Sequence, residues 1–255
     1  MIAPTPLNTP GCHTPWRHLA LDCVASTNES ALQQAQAGAA EGLVITAHYQ
    51  TNGRGRLGRE WHADYGDSLL MSLLLRPDWL TTPDAPQLSL LTALALYRAV
   101  DIDGKRLKWP NDLLINGKKL AGILMEMQTV AGNQPPYIIV GIGVNLQRPA
   151  AGWPSTLRLP ATTLNEQLNQ PCRADSLMQS ILREFDHLYY QLRDQGFAAI
   201  ADQWWQAHGE SQPVEVDDGC HRWRGVATGL GSDGALLVRS ESGEQRVLSA
   251  DVTLL

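Results

Sequence analysis

Three apolar runs constrain the fold of this chain more than any other feature. They are LVITAHY at residues 43–49, SLLMSLLL at 68–75 and YIIVGIGVN at 137–145. Short continuous apolar runs of this kind are typical of buried strands. Between and after them, capping residues and helical spacing predict helices from Ser26 or Thr27 to Gly38, and over 86–100, 173–194 and 197–207. Strands interspersed with helices predict an α/β (α+β) fold with a mixed sheet.

The pattern changes after Gly209, where short strands separated by turn signals dominate. Strands are predicted at residues 213–216, 223–226, 235–238 and 246–248, with turns at 217–219, 232–234 and 242–243. This spacing predicts a small β-barrel over residues 209–255, following a first domain over residues 1–208. Within the first domain, Asn116-Gly117 predicts a hairpin. The Pro- and Thr-rich residues 1–16 are expected to form a loose leader.

Composition narrows the class of protein. The 255 residues are 44% hydrophobic, enough to fill a substantial core, and 18% charged, too few for a disordered or coiled-coil chain; the net charge of −6 argues against a nucleic-acid binder. Cys12, Cys23, Cys172 and Cys220 form no C-x-x-C pair, so reduced thiols in a cytoplasmic protein are expected. The N-terminus lacks the features of a signal peptide, and the most apolar stretch, 88–96, is too short to span a membrane.

The segment Gly53-Arg-Gly-Arg-Leu-Gly-Arg59, here called the Gly/Arg loop, is the strongest candidate for binding a ligand. Each arginine is a permanent cation whose planar donors suit carboxylate or phosphate. The glycines allow positive φ and close approach to a ligand. We predict an anion-binding clamp that is mobile until occupied, and the alternative is a solvated basic turn.

Two further segments carry polar or aromatic groups suited to a ligand. Ser26, Thr27 and Asn28 stand at a predicted helix start, where they can bind a neutral polar group such as a urea or simply cap the helix. Gln50 offers both a donor and an acceptor. Trp61 can cover an apolar ligand or stack on a base, and its alternative is a core indole.

The last two candidate segments lie on predicted strands. Lys108-Trp-Pro-Asn-Asp112 precedes the hairpin, and Lys119 beyond it is well placed to hold a carboxylate or an α-phosphate. Asp112 alternatively stabilises the turn. Gly141-Ile-Gly-Val-Asn145 fails the dinucleotide-binding pattern because residue 146 is leucine. Glycines inside a strand mark close approach of a ligand or backbone, with Asn145 at the pocket rim.

In this order, the segments resemble those of the biotin protein ligases (biotin–[acetyl-CoA-carboxylase] ligases), from about residue 19 to the end. GRGRxGR followed by KWPND and KxAGIL is highly specific to that family. The resemblance implies a catalytic fold shared with lipoate ligases and class II aminoacyl-tRNA synthetases, plus an SH3-like C-terminal barrel. Some members carry an N-terminal DNA-binding domain and act as repressors; this chain is expected to be the monofunctional type.

The resemblance also implies an activity. Biotin and Mg²⁺-ATP would give biotinyl-5′-adenylate, which then acylates a lysine of a biotin carboxyl carrier protein. The implied catalytic residues are Lys119, Arg54 and Arg56. The implied biotin contacts are Ser26, Thr27, Asn28, Gln50, Arg54, Gly55, Arg56, Lys119, Gly141 and Gly143. The implied nucleotide contacts are Arg54, Trp61, Asn111, Asp112, Lys119 and Asn145. No metal ligands are assigned.

Several alternatives stay open from the sequence. A lipoate or octanoate ligase is the nearest, a regulatory nucleic-acid binder and an inactive scaffold are the others, and a homodimer is one of the expected states. One departure from the family concerns the last strand, Asp251–Leu255, which has no lysine or arginine. We therefore do not expect the barrel to contact ATP; packing or carrier docking is expected instead. Arg59 receives no role beyond anchoring the loop.

Overall fold

The computed structural model describes residues 3–129, 136–168, 170–209 and 211–255. Its secondary structure forms two separate sheets joined through helices. The first sheet contains β1 (Thr5–Pro6), β2 (Arg17–Val24), β3 (Leu43–Gln50), β4 (Ser68–Leu75), β5 (Lys105–Lys108), β6 (Asp112–Ile115), β7 (Lys118–Gln128) and β8 (Tyr137–Asn145). Their order across the sheet is β1-β2-β3-β4-β8-β7-β6-β5. Only the β2–β3 pair is parallel, so the sheet is mixed as predicted.

Helices cover both faces of this sheet. They are α1 (Thr27–Gln36), α2 (Gln87–Ala99), α3 (Leu164–Leu168), α4 (Ala174–Gln195) and α5 (Ala198–His208). The central strand β4 is apolar at six of its eight positions, and the exceptions are Ser68 and Ser72. Leu69, Met71, Leu73 and Leu75 point into the main core with α2 and α4, whereas Leu74 packs in a smaller core against α1. A strand that is packed on both faces carries apolar side chains on both, so strict apolar/polar alternation is lost.

The N-terminal segment is ordered, and the expectation of a loose leader was wrong. β1 pairs with β2, and Trp16 is buried against Phe185. The backbone N–H groups of His13 and Thr14 donate to the buried Asp186 carboxylate of α4 at 2.7 and 2.9 Å. A contact between positions more than 170 residues apart has no local sequence signal. The Pro- and Thr-rich composition of residues 1–16 therefore gave no indication of it.

The second sheet is antiparallel and has five strands. These are β9 (Gln212–Asp217), β10 (Arg222–Leu230), β11 (Leu236–Ser240), β12 (Gly243–Val247) and β13 (Asp251–Leu254), in the order β12-β11-β10-β9-β13. The mixed α/β class with a separate C-terminal β-module is therefore confirmed. The division into domains at residues 208 and 209 stays a prediction. No helix in the described part of the chain is both long and apolar enough to cross a membrane.

Candidate active site

A cavity of about 520 Å³ opens on the face of the first sheet that carries α1. All but one of the predicted site residues line it, although they come from positions 26 to 143. They are Ser26, Thr27, Asn28, Gln50, Arg54, Gly55, Arg56, Trp61, Asn111, Asp112, Lys119, Gly141 and Gly143. The strand order explains this convergence, because β3, β4, β8 and β7 are successive neighbours in the sheet.

Asn145 is the predicted site residue that does not line the cavity. It is buried at the end of β8, where its amide Nδ2 donates to the carbonyl of Thr162 at 3.1 Å. A second, longer contact of 3.4 Å reaches the carbonyl of Lys119. In this structure Asn145 therefore ties the segment after β8 to the start of β7.

The Gly/Arg loop is a compact turn in the structure. The backbone N–H of Gly55 donates to the carbonyl of Arg59 at 2.7 Å, and a 3₁₀ turn spans Arg56–Gly58. The left-handed conformation falls on Leu57 (φ 57°) and Gly58 (φ 72°), and not on Gly53 or Gly55 as their type suggested. Gly53 serves close approach, because a Cβ there would lie 2.8 Å from the Trp61 carbonyl oxygen.

Polar side chains form a continuous chain at the start of α1. The backbone N–H of Thr27 donates to Gln50 Oε1 at 2.7 Å, so Gln50 caps the helix and the predicted side-chain caps Ser26 and Thr27 do not. Thr27 Oγ1 lies 3.0 Å from Gln50 Oε1 and 2.8 Å from Ser72 Oγ. Ser72 Oγ in turn donates to Asn28 Oδ1 at 2.6 Å.

This row of hydrogen-bonded side chains has one hydrogen too few. It has three oxygen–oxygen contacts, but only the two hydroxyls of Thr27 and Ser72 supply hydrogens, because amide oxygens accept only. One contact therefore joins two acceptors with no hydrogen between them. Thr27 and Gln50 line the cavity, so a ligand with an N–H donor can satisfy the unpaired lone pairs.

Asn28 and Arg54 meet at a carboxylate that sequence reasoning did not single out. Glu126 on β7 accepts from Asn28 Nδ2 at 2.7 Å and from Arg54 Nη2 at 3.1 Å, both through Oε2. Asn28 Nδ2 also lies 3.2 Å from the Leu124 carbonyl. A glutamate inside a half-exposed strand segment gives no sequence signal of such a role.

Glycines on the cavity face of the sheet admit bulky neighbours. A Cβ on Gly143 would lie 2.7 Å from the Trp61 ring, and one on Gly141 would lie 2.3 Å from Asn28 Oδ1. The room that these glycines leave is thus taken by an indole and an amide. The indole Nε1 of Trp61 is buried and has no hydrogen-bond partner among the described residues, so it is an available donor.

The opposite end of the cavity is rich in charge. Lys119 Nζ lies 2.7 Å from Asp112 Oδ1, in an ion pair without the angles of a hydrogen bond, and Lys108 Nζ lies 3.8 Å from Asp112 Oδ2. Burial lowers the pKa of Lys108, an effect that the charge of Asp112 opposes. Burial likewise lowers the pKa of Arg56, whose Nη1 contacts Asn111 Oδ1 at 3.4 Å.

The C-terminal β-module reaches this end through Asp251 on β13. Its carboxylate forms ion pairs with Arg59 of the Gly/Arg loop and with Arg158. Burial alone would raise the Asp251 pKa, but hydrogen bonds from both arginines outweigh it and lower the pKa. Asp251, Val252 and Thr253 all line the cavity, so the barrel contributes an acidic side chain to the lining.

The net charge of the lining favours an anionic ligand. Its six lysine and arginine side chains outnumber its three carboxylates, in a chain whose total charge is −6. The cations are Arg54, Arg56, Arg59, Lys108, Lys119 and Arg158, and the carboxylates are Glu60, Asp112 and Asp251. A cleft lined mainly by positive charges and bounded by low-dielectric protein concentrates the electric field on an anionic ligand. The cavity thus has one end that suits a hydrogen-bond donor and another end that suits an anion.

Comparison with known proteins identifies the family. Residues 20–145 match the model of the Biotin/lipoate A/B protein ligase family. The biotin–[acetyl-CoA-carboxylase] ligase of Paracoccus denitrificans is 35% identical over 234 residues, which cover 89% of this chain and 96% of that enzyme. This chain belongs to the biotin protein ligase family.

Two further members place the chain within the biotin protein ligase family. The bifunctional ligase/repressor BirA of Bacillus subtilis is 35% identical over 237 residues, covering 91% of this chain and 72% of the relative. The biotin protein ligase of Aquifex aeolicus, solved with biotin and ATP, superposes with a TM-score of 0.76 at 27% identity. That match covers 93% of this chain and 98% of the Aquifex chain, so it includes both sheets.

Proposed function

We propose that this chain activates biotin with ATP and transfers the biotinyl group to a lysine of a biotin carboxyl carrier protein. In the first step the biotin carboxylate attacks the α-phosphorus and expels pyrophosphate. In the second, the lysine ε-amine attacks the acyl carbon and expels AMP. We place this chemistry in the reducing cytoplasm, in keeping with four free cysteines.

The missing proton at the start of α1 is the observation that carries the choice of biotin. A ureido ring presents two N–H donors, and one of them can donate to an acceptor lone pair of Thr27 Oγ1 or Gln50 Oε1, both of which line the cavity. The dithiolane ring of lipoate has no N–H and would leave this hydrogen-bond network one hydrogen short. A site built to pair a polar group rejects an analogue that lacks it far more strongly than one lacking a methylene.

The cationic end suits the reacting groups of the first step. A carboxylate and an α-phosphate repel each other, and Lys119, Arg54 and Arg56 can offset that repulsion as negative charge builds at phosphorus. Each charge-assisted contact contributes about 1.5–3 kcal/mol. The unpaired Trp61 Nε1 and the amide of Asn111 are further polar contacts that we assign to the nucleotide.

Mg²⁺ fits this end as a nucleotide-bound ion. The described residues contain no cluster of three or more metal-ligating side chains, so a dedicated protein cage is absent from them. Mg²⁺ bound through one or two carboxylates plus phosphates and waters needs no such cage. Asp112 would hold it, since its carboxylate lines this end of the cavity; Lys119 Nζ, 2.7 Å from Oδ1, is its ion-pair partner there. The ion would neutralise phosphate charge.

Incubation with biotin, Mg²⁺-ATP and a purified biotin carboxyl carrier domain tests the proposal. We expect a mass increase of one biotinyl group on the carrier and release of pyrophosphate. A parallel reaction with lipoate should give neither product at the same concentration. No modification with biotin, or a faster reaction with lipoate, would overturn the assignment.

A further inference from the structure

We propose that Glu126 is a positioning residue that fixes the donor–acceptor polarity of the biotin-binding end of the cavity. The inference rests on the proposed function and extends it to a residue that does not line the cavity. Glu126 acts through Asn28, whose amide it holds at 2.7 Å. Its effect reaches Thr27 and Gln50 through the chain of contacts already described.

The first step concerns the orientation of the Asn28 amide. A carboxylate oxygen only accepts, so the amide must turn its Nδ2 toward Glu126 and its Oδ1 toward Ser72. The Leu124 carbonyl favours the same orientation through a longer contact of 3.2 Å. Asn28 is 4% exposed, so no bulk water is at hand to stabilise the opposite orientation.

The second step follows the protons from Asn28 to the cavity. Because Asn28 turns its Oδ1 toward Ser72, the single hydroxyl hydrogen of Ser72 is donated to that oxygen. Thr27 is then left with one hydrogen for two acceptors, Ser72 Oγ and Gln50 Oε1, which creates the proton deficit. If the amide turned over, its Nδ2 would donate to Ser72, all three contacts would be filled, and the site would no longer seek an N–H donor.

The same oxygen of Glu126 also receives Arg54, at 3.1 Å. The Gly/Arg loop and the start of α1 therefore converge on a single carboxylate. A change at Glu126 can act at either end of the ligand, and the experiment must separate the two ends. Biotinol, in which an alcohol replaces the carboxylate of biotin, reports on the ureido end alone.

The test measures dissociation constants of biotin and biotinol by isothermal titration calorimetry for wild type and Glu126→Gln. A glutamine can donate to a reversed Asn28, so we expect both ligands to bind about tenfold more weakly. Glu184→Gln is the matched control. Glu184 pairs with Arg98 at 3.5 Å and its side chain is 37% exposed, against 39% for Glu126, and it does not line the cavity.

A second measurement separates positioning through Asn28 from a general loss of structure. In an Asn28→Ala background, Glu126→Gln should change biotinol affinity by less than twofold, because the group through which it acts is gone. Unchanged biotinol binding by Glu126→Gln, or a full tenfold loss on top of Asn28→Ala, would overturn the inference. If wild type itself bound no biotin, the proposed function would fall first.

Discussion

Asp251→Asn tests whether the C-terminal module holds the active site closed. In the structure a single carboxylate joins three segments: the Gly/Arg loop through Arg59, the connection between β8 and α3 through Arg158, and β13 itself. Asparagine keeps the shape of the side chain and removes its charge. Because Asp251 lies at the rim of the cavity, we expect the variant to fold normally and to open more often.

The size of the effect follows from how exposed the partners are. The arginine side chains of the two pairs are 43% and 52% exposed, so solvent screens both interactions. Exposed pairs contribute about 0.2–1 kcal/mol each. Two of them give at most about 2 kcal/mol, which corresponds to roughly a thirtyfold larger open population. The smaller limit corresponds to about a twofold change.

Retention of biotinyl-adenylate is the appropriate readout. Enzyme is loaded with biotin and labelled ATP without carrier, and the loss of bound adenylate is followed by rapid filtration. We expect loss to be two- to thirtyfold faster in Asp251→Asn. Asp233→Asn is the matched control, since Asp233 pairs with Arg246 at 2.7 Å within the barrel and its side chain is similarly exposed.

The lowered pKa of Asp251 fixes the conditions of that assay. The interaction is present above the ordinary aspartate pKa of about 3.9 and is lost only as pH falls through the lower folded value. Retention in wild type should therefore not depend on this group between pH 6 and 9. Equal retention by wild type, Asp251→Asn and Asp233→Asn would refute the reasoning.

Three further predictions concern individual residues. Lys119→Ala should slow pyrophosphate release about ten- to a hundredfold with little change in melting temperature, because it removes one charge-assisted contact; a wild-type rate would contradict its role. Gly143→Ala places a Cβ 2.7 Å from Trp61, so it should cost about 1–3 kcal/mol of stability and raise KM for ATP. The control Gly229→Ala, whose Cβ would lie 3.8 Å from its nearest neighbour, should have neither effect. Burial lowers the His208 pKa, so the unfolded chain takes up a proton first and stability should fall below about pH 6.5, by up to about 1.4 kcal/mol per pH unit; chemical denaturation of His208→Gln should show a shallower slope.

Local signals explain what the sequence predicted well. The apolar runs at β3, β4 and β8 and the hairpin at Asn116-Gly117 depend on neighbours in the chain. Both hairpin residues have positive φ, 49° and 76°, as the dipeptide indicates. Thirteen of the fourteen candidate residues line one cavity, because most of their motifs lie on or beside strands that are neighbours in the sheet; the roles assigned to them stay predictions.

Contacts between distant segments explain what the sequence missed. Gln50 caps α1 across 23 positions, and Arg59 pairs with Asp251 across 192. The last strand has no basic residue, and its sequence gives no sign that Asp251 pairs with Arg59 and Arg158. Ser72 and Glu126 sit within strands, where neither residue type marks a hydrogen-bond chain. Such roles depend on how many hydrogen-bond donors and acceptors the whole set of contacting side chains contains.

The three arginines of the Gly/Arg loop carry different tasks. Arg54 pairs with Glu126 on the sheet and Arg59 pairs with Asp251 on the barrel, so the outer two fix the loop at both ends. Arg56, between them, makes no ion pair with any described residue, and burial lowers its pKa. A partly desolvated cation that has no carboxylate within ion-pair distance is stabilised strongly when an anion binds beside it. The loop is therefore held at both ends by two arginines, and the third lies in the cavity lining, where we propose that it meets the carboxylate and phosphate.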